Sequence, residues 1–273
     1  GREPSTRAEL AVAAAFAEVL GVEDVRADDS FFALGGHSFV AQPTIRAINE
    51  ALGTELPVQA MFQAPTVEGL AALASTGGGD IAESLRTILP LRPAREDGSP
   101  AAQEPLFAVH PASGISWKFA GLLAHLEGDR PLYGLQLPGI APDDGEQTDH
   151  DTLAELLDEY VDAMKTVQPA GPYRIVGWSF GGRLAQHLAA HLQRGGDEVA
   201  LLAILDAYPT EHSSVAGVDG GDRMWRAFLD ANEVEAPADE LDSDAVRSLL
   251  AGAGNPLADI PSASIERMVR GFL

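Results

Sequence analysis

Along the first 76 residues apolar positions recur every three or four residues, and nowhere do they alternate as a half-buried strand would. Leu10, Ala13, Ala17 and Leu20, with Phe16 beside them, predict one buried stripe on a first helix. Thr6 and Glu9 open that helix as a capping box, and Leu20-Gly21 closes it. A loop through Asp28-Asp29-Ser30-Phe31-Phe32 leads to Leu34-Gly35-Gly36-His37-Ser38 and a second helix ending near Leu52-Gly53. A short helix over about 58–62 and a last one after Ala64-Pro65-Thr66 complete a four-helix bundle, placed at 1–76.

Between 77 and 103 turn formers and charges take over (Gly77-Gly78-Gly79-Asp80, Pro90, Pro93, Asp97-Gly98-Ser99-Pro100). This predicts a linker with room for one short strand or helix. From 104 the texture changes again. Apolar runs at 106–109, 131–135, 173–176 and 199–205 read as buried strands, with helices over about 153–167 and on to about Arg194. Strands alternating with helices predict an α/β domain, a mostly parallel sheet covered on both faces, spanning 104–273. The stretch from 222 onward is helical in its spacing, with breaks at Pro237, Pro256 and Pro261.

Charge removes some classes of function. Lys and Arg number 18 against 41 Asp and Glu, a formal charge of −23. A field of that sign repels phosphate backbones and anionic membranes, so neither nucleic acid nor a membrane is expected as a partner. The absence of cysteine excludes disulfides, thiolate metal sites and thiol nucleophiles. No apolar run approaches the ~20 residues that cross a bilayer, and a cytoplasmic location is expected.

Two serines stand in settings that suit chemistry. Leu34-Gly35-Gly36-His37-Ser38 puts a hydroxyl at the opening of a helix, behind two glycines that allow another active site to approach closely. Taken alone, those five residues favour a turn with Ser38 as an N-cap. Gly177-Trp178-Ser179-Phe180-Gly181 is a G-x-S-x-G string that follows a strand and opens a helix, as a nucleophile elbow requires. The alternative is a chance glycine-rich turn. An oxyanion needs two N–H donors, and the backbones of Phe180 and of Ala112, in the bend His110-Pro111-Ala112-Ser113-Gly114, are the candidates. Asp206 ends the strand that follows the elbow helix and is the candidate triad acid; a plain turn cap is its alternative. His187 and His191, four apart with no Glu between them, read as a solvated helix face, so no metal is expected.

The surroundings of Ser38, with the run from Asp29 to Ser38 and Phe62-x-x-Pro65-Thr66-Val67, resemble a peptidyl carrier protein of a nonribosomal peptide synthetase. His110 to Gly114 with Trp117 and Phe119, the elbow with Gly182, and Leu205-Asp206-Ala207-Tyr208-Pro209 resemble a type I thioesterase that terminates such an assembly line, of the enterobactin-synthetase kind. The resemblance implies 4′-phosphopantetheine on Ser38, installed by a phosphopantetheinyl transferase. It also implies upstream condensation and adenylation domains, and a peptidyl thioester handed to Ser179 for release by hydrolysis or macrocyclisation. The helical tail from about 210 then corresponds to a lid. Two features depart from the pattern. Pro43 falls inside the second helix, where its missing N–H weakens a turn. The triad histidine is absent from its place after the lid; the seven histidines are His37, His110, His125, His150, His187, His191 and His212. The sequence therefore reads as stopping inside the lid. A non-catalytic carrier or interaction module is the alternative if no histidine follows.

Overall fold

The computed structural model describes residues 1–77, 81–94, 103–126, 128, 130–141, 150, 152–207, 222–232, 234–237 and 241–270. The chain forms two compact units, one of Gly1–Ser84 with Trp117–Glu127, the other of Leu85–Ser116 with Gly128–Leu273.

In the first unit α1 (Arg7–Leu20), α2 (Ser38–Leu52), α3 (Ala60–Gln63) and α4 (Val67–Thr76) make the expected bundle. The capping box forms: the Thr6 hydroxyl accepts from the Glu9 N–H at 3.1 Å, and the Glu9 carboxylate accepts from the Thr6 N–H at 3.0 Å. The buried face of α1 differs from the expected stripe. Val12, Ala13, Ala15 and Phe16 are inside, whereas Leu10 is 56% exposed. In an alanine-rich helix nearly every position is apolar, so spacing alone does not single out the face that packs. The face is set by the aromatic chain Phe16–Phe31–Phe32–Phe62, whose ring centroids lie 5.2, 5.3 and 5.4 Å apart in turn. Pro43 lies within α2, which continues to Gly53, left-handed at φ 71°. A short helix α5 (Ile81–Ser84) and the 3-10 helix Trp117–Ala124 complete this unit. Trp117 stacks on Phe62 at 4.7 Å and donates its indole N–H to the Ser84 carbonyl at 3.1 Å.

The second unit holds five strands in the order β1-β3-β2-β4-β5: β1 (Ile88–Arg92), β2 (Leu106–Val109), β3 (Leu132–Leu135), β4 (Tyr173–Trp178) and β5 (Val199–Leu205). All neighbours are parallel except β1 and β3. The stretch read as a linker therefore contributes an edge strand, and an edge is where a strand tolerates Pro90. Helices α6 (Leu153–Val167) and α7 (Phe180–Arg194) pack on each other and on a shared core with Phe107, Tyr133, Tyr160 and Tyr173. The expectation of a sheet covered throughout is not met on β5. Leu201, Ile204 and Leu205 are 41%, 42% and 44% exposed, and β5 pairs only with β4 among the described residues. The tail folds as α8 (Asp222–Ala231), α9 (Ser243–Gly252) and α10 (Ser262–Arg270). Met268 of α10 lies over Gly114, and Arg267 donates to the Pro138 carbonyl at 3.1 Å. Among the described residues no helix is long and apolar enough to cross a membrane.

Candidate functional site

Ser179 occupies the single position between β4 and α7, with φ 55° and ψ −125°. An L residue adopts that backbone only when its surroundings impose it, at a cost of about 1–3 kcal/mol. The surroundings are specific. The Ser179 N–H donates to the Leu205 carbonyl of β5 at 2.9 Å, and its carbonyl accepts from the Gly182 N–H at 3.0 Å. A Cβ on Gly177 would lie 2.1 Å from the Gly181 carbonyl oxygen, and one on Gly181 2.4 Å from that of His110. Glycine at both positions is what lets the strand turn so sharply into the helix.

Asp206 follows β5 at the matching level, because Trp178 and Leu205 are partners in the parallel register. Its φ is 47°, also left-handed, and it is exposed. Ser179 and Asp206 thus stand side by side at the C-terminal ends of neighbouring parallel strands, where open α/β sheets place their ligands. The loop after β2 reaches the same end of the sheet. Gly114 turns at φ 79°, and its N–H donates to the Pro111 carbonyl at 3.0 Å. Among the described residues the N–H groups of Ala112 and Phe180 meet no acceptor. Phe180 is the first residue of α7, where helix N–H groups are free and the helix dipole favours negative charge.

His110, at the end of β2, is buried and engaged at both nitrogens. Nδ1 lies 2.7 Å from the Pro111 carbonyl and Nε2 2.6 Å from the Tyr160 hydroxyl. Burial lowers its pKa to about 4, against a smaller upward pull from the Pro111 carbonyl. Tyr160 was not singled out in the sequence. It sits 50 residues from His110 on the apolar face of α6, and local spacing marks it only as core. The remaining described histidines are elsewhere. His150 lies 2.6 Å from Glu159 and His191 2.7 Å from Asp158. His187 is on the exposed side of α7, while His37 and His125 are exposed in the first unit. His212 and Tyr208-Pro209 lie outside the described residues. No group of three or more acidic or histidine side chains is arranged to hold a metal among the described residues.

Ser38 belongs to the first unit and is the first residue of α2, whose N-cap is the exposed His37. The turn before it is tight: Gly35 has φ 97°, the Gly36 N–H donates to the Phe31 carbonyl at 2.9 Å, and a Cβ on Gly36 would meet the Phe31 ring at 2.4 Å. A helix start behind an exposed residue fits a phosphodiester-linked arm, since the free N–H groups of the first turn favour an anion there.

Two families match the sequence, a phosphopantetheine attachment site over residues 11–74 and a thioesterase domain over 104–253. The dimodular nonribosomal peptide synthase of Bacillus subtilis (strain 168) is 38% identical over 277 residues, covering 100% of this chain and 11% of its own length. Enterobactin synthase component F of Escherichia coli (strain K12) is 36% identical over 212 residues, covering 77% and 16%. The chain therefore spans less than a fifth of these curated relatives. A crystal structure of a holo four-domain nonribosomal peptide synthetase, bound to AMP and glycine, superposes with a TM-score of 0.56 at 25% identity, over 98% of this chain and 20% of that one.

Proposed function

Because this chain belongs to the thioesterase domain family and carries a phosphopantetheine attachment domain ahead of it, we propose that it is the terminal carrier–thioesterase module of a nonribosomal peptide synthetase. In this reading Ser38 bears the arm, and Ser179 accepts the peptide and releases it. The observation that carries the reading is the strained backbone of Ser179, between a parallel strand and a helix start, with unengaged N–H groups at Phe180 and Ala112.

When attached, the arm supplies a thiol on a flexible tether that presents the peptide as a thioester. Ser179 Oγ attacks the thioester carbonyl carbon, forming a C–O bond while the carbonyl electron pair moves onto oxygen. The Ala112 and Phe180 N–H groups stabilise that oxyanion, a contribution that reaches about 10²–10³ in rate for one donor. Collapse breaks the C–S bond and returns the Ser179 proton to the departing thiolate. Water, or an amine or hydroxyl of the peptide itself, then attacks the ester and gives an acid or a macrocycle.

A serine needs a base during attack. His110 is a poor base, buried and bonded at both nitrogens, and the other described histidines are exposed or paired with carboxylates elsewhere. The reading assigns the base to a histidine outside the described residues, with Asp206 orienting it. Among the described residues β5 is an open edge of the sheet, with Leu201, Ile204 and Leu205 exposed.

Incubation with coenzyme A and a phosphopantetheinyl transferase tests the carrier half. The chain should gain one arm of ~340 Da, and Ser38→Ala should gain none. Addition at another serine would contradict the assignment.

A further inference from the structure

The Pro111–Ala112 peptide joins a carbonyl that accepts from two donors to an N–H that meets no acceptor among the described residues. The Pro111 carbonyl accepts from the Gly114 N–H at 3.0 Å and from His110 Nδ1 at 2.7 Å. A carbonyl oxygen only accepts, so His110 carries its proton on Nδ1. Nε2 is then a lone pair, and the Tyr160 hydroxyl donates to it at 2.6 Å. The peptide is trans and planar, so its N–H points opposite to its carbonyl. Whatever holds the Pro111 oxygen therefore aims the Ala112 N–H.

We propose that His110 and Tyr160 are positioning residues for the oxyanion donors: the Tyr160 hydroxyl anchors the His110 ring through Nε2, and the imidazole orients the Pro111–Ala112 peptide toward the Ser179 site. The same histidine reaches the second donor. Its ring stacks on that of Phe180 at 6.5 Å, and its carbonyl abuts Gly181, where no Cβ fits. Its own N–H is tied to the Leu135 carbonyl of β3 at 3.0 Å. One buried side chain thus links the loop after β2 to the start of α7. Burial keeps the ring neutral through the physiological range, which preserves the single tautomer the arrangement needs. Without the hydroxyl, Nε2 loses its partner and the Pro111 carbonyl alone holds the ring, so the imidazole and the peptide it orients are less firmly fixed.

This inference rests on the reading of Ser179 as the nucleophile, and the test separates the two. Turnover of an acyl N-acetylcysteamine thioester is measured in the complete synthetase carrying Tyr160→Phe, His110→Asn, His110→Leu or Ser179→Ala. Tyr160→Phe keeps the ring volume and should remain folded, with kcat about 10-fold lower and KM unchanged, as expected when one oxyanion donor is loosened rather than removed. His110→Asn retains an N–H donor near the Nδ1 position and should keep more of kcat than His110→Leu. Tyr160→Phe at the parent kcat, or equal losses in the Asn and Leu variants, would overturn the inference while Ser179→Ala remains inactive. Full turnover by Ser179→Ala would overturn the inference together with the site on which it stands.

Discussion

At Gly181 the absence of one carbon decides whether the elbow can form. A Cβ there would stand 2.4 Å from the His110 carbonyl oxygen and 2.5 Å from that of Val109, both backbone atoms that cannot swing aside. Gly181→Ala should therefore lower the stability of the second unit by roughly 1–3 kcal/mol, the usual cost of overpacking, read as a lower urea midpoint. A parent-like midpoint would show that α7 does not sit so close to β2. The need for small residues around Ser179 was legible in the sequence, because the elbow turn demands them. The role of His110 was legible only as membership of a loop, since its partner Tyr160 comes from another element. A second residue-scale consequence concerns pH. An unfolded chain protonates His110 as pH falls through 6.5, and the folded protein does so only near 4. The unfolded state thus binds more protons between those values, and stability falls with pH across that window, by roughly 3 kcal/mol from this group. Above 6.5 its contribution is complete. Urea midpoints of the parent and His110→Asn, taken from about pH 7 to 4, should diverge in slope, the carboxylate background being common to both. Parallel curves would contradict the burial of a neutral imidazole.

Among the elements, α2 carries a defect that was visible in the sequence. Pro43 has no N–H to give to the Phe39 carbonyl, yet the helix runs through it to Leu52. Pro43→Ala should restore that bond and raise the stability of the carrier half by about 1–3 kcal/mol given the position one turn inside the helix, read as a higher thermal midpoint. An unchanged midpoint would mean that the proline ring is compensated by packing. The capping box of α1 was equally legible, because it is a local contact between Thr6 and Glu9. The edge strand β1 was less so. It has five residues, includes a proline, and pairs antiparallel with a strand at least forty residues away, so nothing in its own periodicity marks it as part of the sheet. The face of α1 was misjudged at Leu10 for the opposite reason: the helix is so uniformly apolar that only Phe16 and its aromatic neighbours select a side.

Across the whole molecule, the two units answer to two textures in the sequence, helical spacing before residue 77 and strand–helix alternation after 104. The segment Trp117–Glu127 breaks that simple division. It follows the loop that carries Ala112, yet Trp117 stacks on Phe62 and bonds to Ser84 within the first unit. No local pattern could announce this, because the pairing is made by aromatic surfaces distant in sequence. The central claim of the account is that the two serines act in series, Ser38 holding the peptide and Ser179 taking it. It is tested most directly by loading an acyl-pantetheine arm onto Ser38 in the complete synthetase and locating the acyl mass by peptide mapping over time. The account predicts transient acyl on the peptide containing Ser179. In Ser179→Ala the acyl should stay on the Ser38 arm, with release slower by several powers of ten. Acyl appearing on another residue, or release continuing at the parent rate in Ser179→Ala, would contradict it.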